Sequence, residues 1–170
     1  MEIQSPTDVD HLAPQIWPVY ATVFGDFESY ELWRADLFDR HAARAGYRLL
    51  TAVDGSRPAG TTLAGFGWGY TGQRGQFWSD LVCNSLPKAI TDEWVGGHFE
   101  VVELAVLPEY RGQGVGRALH DKLLESVTGR CLLSTSDDPG DPAVRLYLSS
   151  GWRKLGVLRP GVQVMGRSAA

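Results

Sequence analysis

The 170-residue chain is 44% hydrophobic and 11% aromatic, which is enough to bury one substantial core but not two, so a single domain over residues 1–170 is expected. Sixteen basic and 20 acidic residues give a net charge of −4, so overall charge would draw in neither nucleic acid nor an anionic membrane. The two cysteines form no CxxC pair, so neither a disulfide framework nor a zinc ribbon is indicated. No apolar run reaches about 18 residues and no signal-peptide pattern opens the chain, so neither a membrane span nor export is expected, and a cytoplasmic location is.

The first half of the chain predicts two helices followed by a β-hairpin. Apolar side chains recur at helical spacing over residues 11–25 and again over 30–46. Two β-type runs, 47–53 and the glycine-rich 61–70, flank a strong turn signal at 54–58. The glycines at alternate positions of the second run would either admit a ligand along the sheet or let a helix pack closely.

The second half predicts alternating strands and helices, which indicates an α/β fold. Residues 71–97 carry mixed signals and predict no regular element beyond a short helix near 87–94, and an irregular segment of this length is often functional. The later predicted elements are a strand at 99–106, a helix at 115–129, a strand at 131–135, a helix at 142–150 and a hairpin of 152–158 with 162–166.

The stretch FEVVELAVLPEYRGQGVGRAL, residues 99–119, is the most informative part of the sequence. A strand runs into glycines 112, 114 and 116 and then directly into a helix, so unpaired N–H groups converge at the loop and the first helical turn. Such a group of amides binds phosphate, and Arg111 and Arg117 would add charge at its rim. The alternative is a glycine-rich helix start with only a structural role.

The spacing of this loop excludes two common phosphate-binding motifs. A Rossmann GxGxxG would need a third glycine at position 117 or 119, which are Arg and Leu. A Walker A loop ends in GK[ST], whereas Gly116 is followed by Arg117 and Ala118. A dinucleotide, ATP or GTP bound through either motif is therefore not expected.

Three linked motifs resemble the GNAT superfamily of N-acetyltransferases. Arg111–Gly116 is similar to the R/Q-x-x-G-x-G/A signature that holds the pyrophosphate of acetyl-CoA, Glu103–Pro108 to the fourth strand, and Leu146–Trp152 to the LYxxxGF pattern. The resemblance covers residues 99–158, and residues 71–97 match no named pattern. It implies a mixed, mostly antiparallel central sheet flanked by helices, with acetyl-CoA as co-substrate.

The resemblance also implies which residues bind the co-substrate. In the family, backbone groups of the fourth strand bond the pantetheine arm and polarise the acetyl carbonyl, like an oxyanion hole. A polar residue common before the last long helix is replaced by Gly140, so its bond to the arm would be lost or taken over by Asp138 or Asp141. The implied cofactor-binding residues are Leu104, Ala105, Val106, Arg111, Gly112, Gln113, Gly114, Val115, Gly116 and Arg117.

Acetyl transfer to an amine calls for a base, because an alkylamine of pKa roughly 10 is almost entirely protonated at pH 7. Strand alternation places Glu100 and Glu103 on opposite faces, so position alone does not choose between them. Glu100 matches the base of some histone-acetylating members and Glu103 an acidic position of many small-molecule members. His98 is a third candidate. Tyr147 matches the general acid that protonates the CoA thiolate, although it also suits a core position.

The predicted function is direct transfer of acetyl from acetyl-CoA to a primary amine in a ternary complex, with a small-molecule acceptor favoured over a protein. No metal is implied, and neither cysteine has an evident base partner for an acetyl-enzyme. The alternative is a non-catalytic CoA-binding or protein-interaction module on the same fold. Whether the chain forms a homodimer stays open.

Several aromatic and acidic residues would either line a cleft for the acceptor or belong to the core. They are Trp33, Trp68, Tyr70, Phe77, Trp78, Trp94, Asp80, Asp92 and Glu93.

Overall fold

The computed structural model describes residues 1–56 and 63–169. Its strands are β1 (Glu2–Gln4), β2 (Arg48–Val53), β3 (Gly65–Gly72), β4 (His98–Val106), β5 (Gly129–Ser136), β6 (Arg153–Arg159) and β7 (Val162–Ala169). Its α-helices are α1 (Ala13–Val23), α2 (Tyr30–Trp33), α3 (Asp39–Ala42), α4 (Phe77–Ser85), α5 (Lys88–Trp94), α6 (Val115–Leu124) and α7 (Pro142–Ser149). A π-helical turn, Arg34–Phe38, joins α2 to α3.

The strands form one mixed sheet in the order β1-β2-β3-β4-β5-β7-β6. Strands β4 and β5 are parallel, whereas the pairs β1–β2, β2–β3, β5–β7 and β6–β7 are antiparallel. The predicted α/β fold with a mixed, mostly antiparallel sheet flanked by helices is confirmed. In the described part of the chain, no helix combines the length and the apolar character needed to cross a bilayer.

The chain divides into two compact units, and strands β3 and β4 each contribute residues to both. The first unit consists of Met1–Tyr70 and Glu103–Glu125, and the second of Thr71–Val102 and Ser126–Ala170.

The first unit is organised by the two faces of β3. On one face, Phe66 and Trp68 stack with Tyr20 of α1 at ring distances of 6.4 and 6.5 Å. On the other face, a Cβ added to Gly65 would lie 2.5 Å from the carbonyl oxygen of Ala105 and 3.3 Å from Leu119 of α6. The alternate glycines of β3 therefore allow close packing against β4 and α6. Of the two roles predicted for them, ligand entry along the sheet and close helix packing, the structure supports packing.

The second unit has its core around β5 and α4 with α5. Leu86 and Trp94 pack closely against β6 and β7 only because glycines face them. A Cβ on Gly156 would lie 2.8 Å from Leu86, and one on Gly166 would lie 2.7 Å from Trp94. The buried cluster consists of Val82, Leu86, Trp94, Val95, Leu132, Leu158 and Val164.

Most predicted elements are present, with three differences. Residues 71–97 were expected to hold only one short helix, which is wrong because α4 precedes α5 there. Helix α6 ends at Leu124 and not near 129, since Ser126 has φ of 65° and leaves the helical conformation. The short β1 was not predicted. Residues 57, 58, 61 and 62 of the predicted hairpin lie outside the described residues.

Gly65→Ala is expected to lower the free energy of unfolding by about 1–3 kcal/mol, because its Cβ would meet a backbone oxygen that cannot swing away. Gly55→Ala is the matched control. No atom lies within 4 Å of an added Cβ there, so a change within about 0.5 kcal/mol is expected. Urea unfolding followed by circular dichroism measures both. Equal stability of the two variants would contradict the close packing of β3.

Candidate active site

The loop between β4 and α6 has a backbone that only glycine adopts easily. A short 3₁₀ turn, Pro108–Tyr110, follows β4, and then Gly112 and Gly114 take φ values of 73° and 81°. A Cβ at either position would meet nothing within 4 Å. The glycines are therefore required by the left-handed conformation and not by lack of space.

The start of α6 carries a row of uncommitted amides. Gly114 is the N-cap residue and supplies no side-chain cap. The first amide to bond back into the helix is that of Ala118, which donates to the Gly114 carbonyl at 3.0 Å. Within residues 1–56 and 63–169, no backbone carbonyl accepts from the amides of residues 112–116. These five donors lie at the positive end of the helix dipole, an arrangement suited to an anion.

Two polar side chains of the loop fasten it to the segment that precedes it. Arg111 donates from Nε to the Val106 carbonyl at 3.1 Å, and Gln113 donates from Nε2 to the Glu109 carbonyl at 2.8 Å. Both side chains remain exposed, as does Arg117. The Val106 carbonyl, one of the groups that the resemblance assigns to the pantetheine arm, is thus already bonded to Arg111.

Glu103 lies on β4 in the first unit and is half-buried. Burial, followed by the charge of Asp26, raises the pKa of Glu103 to about 8. A carboxyl group with this pKa accepts a proton readily at slightly alkaline pH, whereas an ordinary glutamate is too weak a base to do so. Its environment suits a general base.

Tyr20 and Asp26 were not anticipated from the sequence. Tyr20 is buried in α1, and its pKa is raised by burial, by the charge of Glu103 and by a hydrogen bond with Asp26. Asp26 is exposed in the segment between α1 and α2. The helical stripe that contains Tyr20 was visible in the sequence, but no spacing connects residues 20 and 26 with residue 103.

The other predicted base, Glu100, has very different surroundings in the second unit. It is 3% exposed, and its Oε2 lies 4.0 Å from Nε2 of the fully buried His98. Nδ1 of His98 accepts from the Gly96 amide at 3.1 Å, which places the ring proton on Nε2. Burial, with a smaller effect of Arg130, lowers the pKa of His98 to about 4, so the imidazole is neutral at pH 7.

Tyr147 lies in the second unit, buried on α7 with its ring edge-on to Trp152 at 5.9 Å. Asp141 caps α7 by accepting from the Ala143 amide at 2.7 Å, as the Asp-Pro pair predicted. Asp138 accepts from the Gly140 amide at 2.8 Å. Both carboxylates that were candidates to replace the missing polar side chain at position 140 are thus engaged in local bonds.

Residues singled out from the sequence therefore divide between the two units. Glu103, the end of β4 and the glycine loop belong to the first unit, whereas Glu100, His98 and Tyr147 belong to the second. Most of the aromatic residues considered for an acceptor cleft are core instead: Trp33, Trp68, Tyr70 and Trp94 are buried, while Phe77 is 83% exposed. Asp92 is paired with Lys88 and Arg74.

The sequence matches known acetyltransferases. The acetyltransferase (GNAT) family profile matches residues 12–152. A GCN5-like protein acetyltransferase of Mycobacterium tuberculosis is 29% identical over 175 residues, covering 86% of this chain and 84% of the relative.

Solved structures share the fold at low sequence identity. An acetyltransferase of Thermus thermophilus superposes with a TM-score of 0.68 at 12% identity, covering 99% of this chain and 98% of that one. The PaiA N-acetyltransferase of Thermoplasma acidophilum, solved in complex with coenzyme A, gives a TM-score of 0.62 at 14% identity, covering 99% and 100%. Since the family profile spans most of the sequence, the chain belongs to the acetyltransferase (GNAT) family, whose membership implies acetyl-CoA-dependent acetyl transfer.

Proposed function

We propose that the protein transfers the acetyl group of acetyl-CoA directly to a primary amine within a ternary complex. It acts as one N-acetyltransferase domain in the cytoplasm, and a small molecule is favoured over a protein as acceptor. The observation that carries the proposal is the row of five amides, residues 112–116, that have no backbone acceptor in the described chain at the start of α6. Family membership supplies the reaction class.

The pyrophosphate of acetyl-CoA is the anion that this loop would hold. Five amides and the dipole of a ten-residue helix favour two negative charges there, and the exposed Arg111 and Arg117 add attraction at the rim. The pantetheine arm would pair with the backbone of Leu104 and Ala105, because the Val106 carbonyl already accepts from Arg111. Val115, with its buried side chain, contributes only its amide.

Glu103 is the proposed base. It is half-buried, so a substrate amine can approach it, and its pKa of about 8 lets it take a proton that an ordinary glutamate would not. Loss of that proton turns the ammonium into the neutral amine that attacks the thioester carbonyl. Glu100 is the alternative base, and its almost complete burial argues against it.

Tyr147 is the proposed acid. The attack breaks the carbon–sulfur bond and leaves the CoA thiolate, whose conjugate acid has a pKa near 8.5. A phenol is able to donate a proton or a hydrogen bond to that sulfur. The buried position of Tyr147 on a capped helix would hold its ring in one orientation.

An acetyl-enzyme on cysteine is not proposed. Cys131 is buried, and burial raises the pKa of its thiol to about 11, so it is protonated at neutral pH and a poor nucleophile. Cys83 is half-buried beside Arg74, whose Nη1 lies 3.1 Å from the sulfur. These surroundings support direct transfer over a two-step route.

The class of acceptor is tested by the choice of amines. A small molecule is favoured, whereas the mycobacterial relative is by name a protein acetyltransferase. A panel that includes small amines, amino acids, aminoglycosides and peptides with free N-termini or lysines distinguishes the two classes in one thiol-release assay.

Co-substrate binding is tested at Gly114. Asn and Asp both tolerate the left-handed conformation of this residue, but Asp adds a negative charge at the start of α6. Gly114→Asp is expected to weaken acetyl-CoA binding, measured by calorimetry, at least about tenfold more than Gly114→Asn does. Acetyl-CoA should also raise the melting temperature of the unmodified protein, whereas ATP and NADH at the same concentration should not. Equal affinities of the two variants would place the diphosphate elsewhere.

Turnover is tested through the pH dependence of kcat/KM for thiol release. With Glu103 as base, the rate should increase about tenfold per pH unit below about 8 and level off above, because only the ionised carboxylate accepts the proton. Glu103→Gln should remove this limb and lower the rate about 10²- to 10⁴-fold while acetyl-CoA still binds. Tyr147→Phe should lower kcat, and Glu109→Gln, at an exposed position, is the matched control.

Two results would redirect the assignment. A loss of turnover in Glu100→Gln but not in Glu103→Gln would transfer the role of base to Glu100. Binding of acetyl-CoA without thiol release for any amine, in the unmodified protein, would indicate the non-catalytic module instead.

A further inference from the structure

The segment that joins α3 to β2 in the first unit carries three polar side chains at intervals of three residues. Its backbone makes two consecutive turns, in which the Arg44 amide donates to the His41 carbonyl at 2.9 Å and the Tyr47 amide donates to the Arg44 carbonyl at 3.2 Å. Gly46, with φ of 69°, takes the left-handed position of the second turn. The Cα atoms of the first and fourth residues of such a turn lie within about 7 Å of each other. His41, Arg44 and Tyr47 therefore form one polar cluster.

Two residues of this cluster have a buried donor atom without an acceptor. Nε of Arg44 and the hydroxyl oxygen of Tyr47 are shielded from solvent, and neither has a hydrogen-bond partner in the described part of the chain. The neighbouring Arg34 and Arg40 both pair with aspartates, whereas no described carboxylate pairs with Arg44. Buried donors in folded proteins are nearly always bonded to protein, water or a ligand. Two such donors next to each other in the chain therefore indicate a site for an acceptor group.

His41 supplies a third donor. Nε1 of Trp68 donates to Nδ1 of His41 at 3.2 Å, which places the ring proton of His41 on Nε2. Burial, followed by the charge of Arg44, lowers the pKa of His41 to about 4, so the imidazole is neutral at pH 7. The cluster thus combines three donors with a single formal positive charge, that of Arg44.

Strand β3 holds the cluster in place from behind. The ring of His41 lies 5.2 Å from that of Tyr70, and the guanidinium carbon of Arg44 lies 6.0 Å from the centre of the same ring. Trp68 and Tyr70 are buried, whereas His41, Arg44 and Tyr47 are half-buried. The aromatic contacts limit the positions that the histidine and the guanidinium can take, which lowers the entropy lost on binding a ligand. The half-buried side of the cluster leaves it open to a small molecule.

We infer that His41, Arg44 and Tyr47 form a binding site for a small organic carboxylate. The carboxylate oxygens would accept from the Arg44 guanidinium, the Tyr47 hydroxyl and Nε2 of His41. One guanidinium balances the single negative charge of a carboxylate, whereas a phosphate monoester carries nearly two at pH 7. The site goes beyond the proposed function, because it uses none of the residues proposed to bind acetyl-CoA or to transfer protons.

Nitrogen-15 NMR tests the site directly, because the Nε–H signal of Arg44 and the Nε1–H signal of Trp68 report on its two sides. Sodium acetate is added in place of sodium chloride at constant ionic strength and pH 7, without acetyl-CoA. Both signals should shift and saturate with acetate. Sodium phosphate, titrated in the same way, should bind more weakly. An Arg44 signal that does not respond to acetate overturns the site, and tighter binding of phosphate overturns the assignment to a carboxylate.

Variants test which side chains hold the acetate, with the Trp68 signal as the measure. Arg44→Gln removes the charge and should weaken acetate binding at least about tenfold. Tyr47→Phe removes only the hydroxyl and should weaken it about tenfold, since the lost hydrogen bond is to a charged group. Arg40→Gln, on the exposed surface of α3, is the matched control and should stay within about twofold of the unmodified protein. An equal loss in Arg40→Gln and Arg44→Gln would show that general positive charge attracts the acetate, and would overturn the site.

Thermal stability distinguishes a binding role of Tyr47 from a structural one. Without acetate, Tyr47→Phe should melt at the temperature of the unmodified protein or higher, because it removes a buried hydroxyl that has no acceptor. Acetate should raise the melting temperature of the unmodified protein more than that of Tyr47→Phe. A Tyr47→Phe variant that melts lower without acetate and gains as much from acetate would overturn the binding role.

These measurements are independent of acetyl transfer. A protein that does not bind acetate at Arg44 but releases thiol from acetyl-CoA keeps the proposed function and loses the carboxylate site. A protein that binds acetate there but releases no thiol with any amine keeps the site and loses the proposed function.

Discussion

The placement of the start of α6 is the constraint on which the site depends. The first amides of any α-helix lack an intrahelical acceptor, and the left-handed Gly112 and Gly114 turn the backbone before α6. In the described chain the amides of residues 112–116 therefore have no backbone acceptor. The helix itself is held by close packing, because the glycines of β3 let Leu119 and the backbone of Ala105 approach the strand. Glycine thus has two roles in the first unit. Gly112 and Gly114 form the turn before α6, and the glycines of β3 let α6 pack closely, so both position the amides at the start of α6.

Two opposite electrostatic preferences coexist within the first unit. The N-terminus of α6 presents amides and arginines, which favour an anion, whereas the segment of residues 1–33 carries only negative side-chain charge apart from histidine. The proposed transfer from an anionic donor to a cationic amine would use both preferences. Overall net charge, at −4, conceals this division because the two signs largely cancel.

The two candidate bases show how burial changes the chemistry of one residue type. Glu103 is partly buried near the negative Asp26, and both effects favour its protonated form, which makes it a stronger base once ionised. Glu100 is almost completely buried beside a neutral His98. The greater exposure and the higher proton affinity of Glu103 therefore favour it over Glu100 as the proposed base. Strand alternation in the sequence could not distinguish the two glutamates.

The sequence by itself determined the elements whose signals are local. Alternation and turn residues predicted β2, the strands of the second half of the chain and the final hairpin, and an Asp-Pro pair predicted the start of α7. The resemblance of Arg111–Gly116 to the GNAT signature implied an acetyl-CoA loop. Only the tertiary structure decided features that depend on residues distant in the chain. Helix α4 is short and stabilised by a core that includes Leu132 and Val164, so its own residues gave too weak a signal. The environment of Glu103 arises because folding brings it near Tyr20 and Asp26, some 80 residues earlier in the sequence. Local backbone preferences can be read from a few neighbouring residues, but burial and electrostatic coupling exist only when the chain has folded.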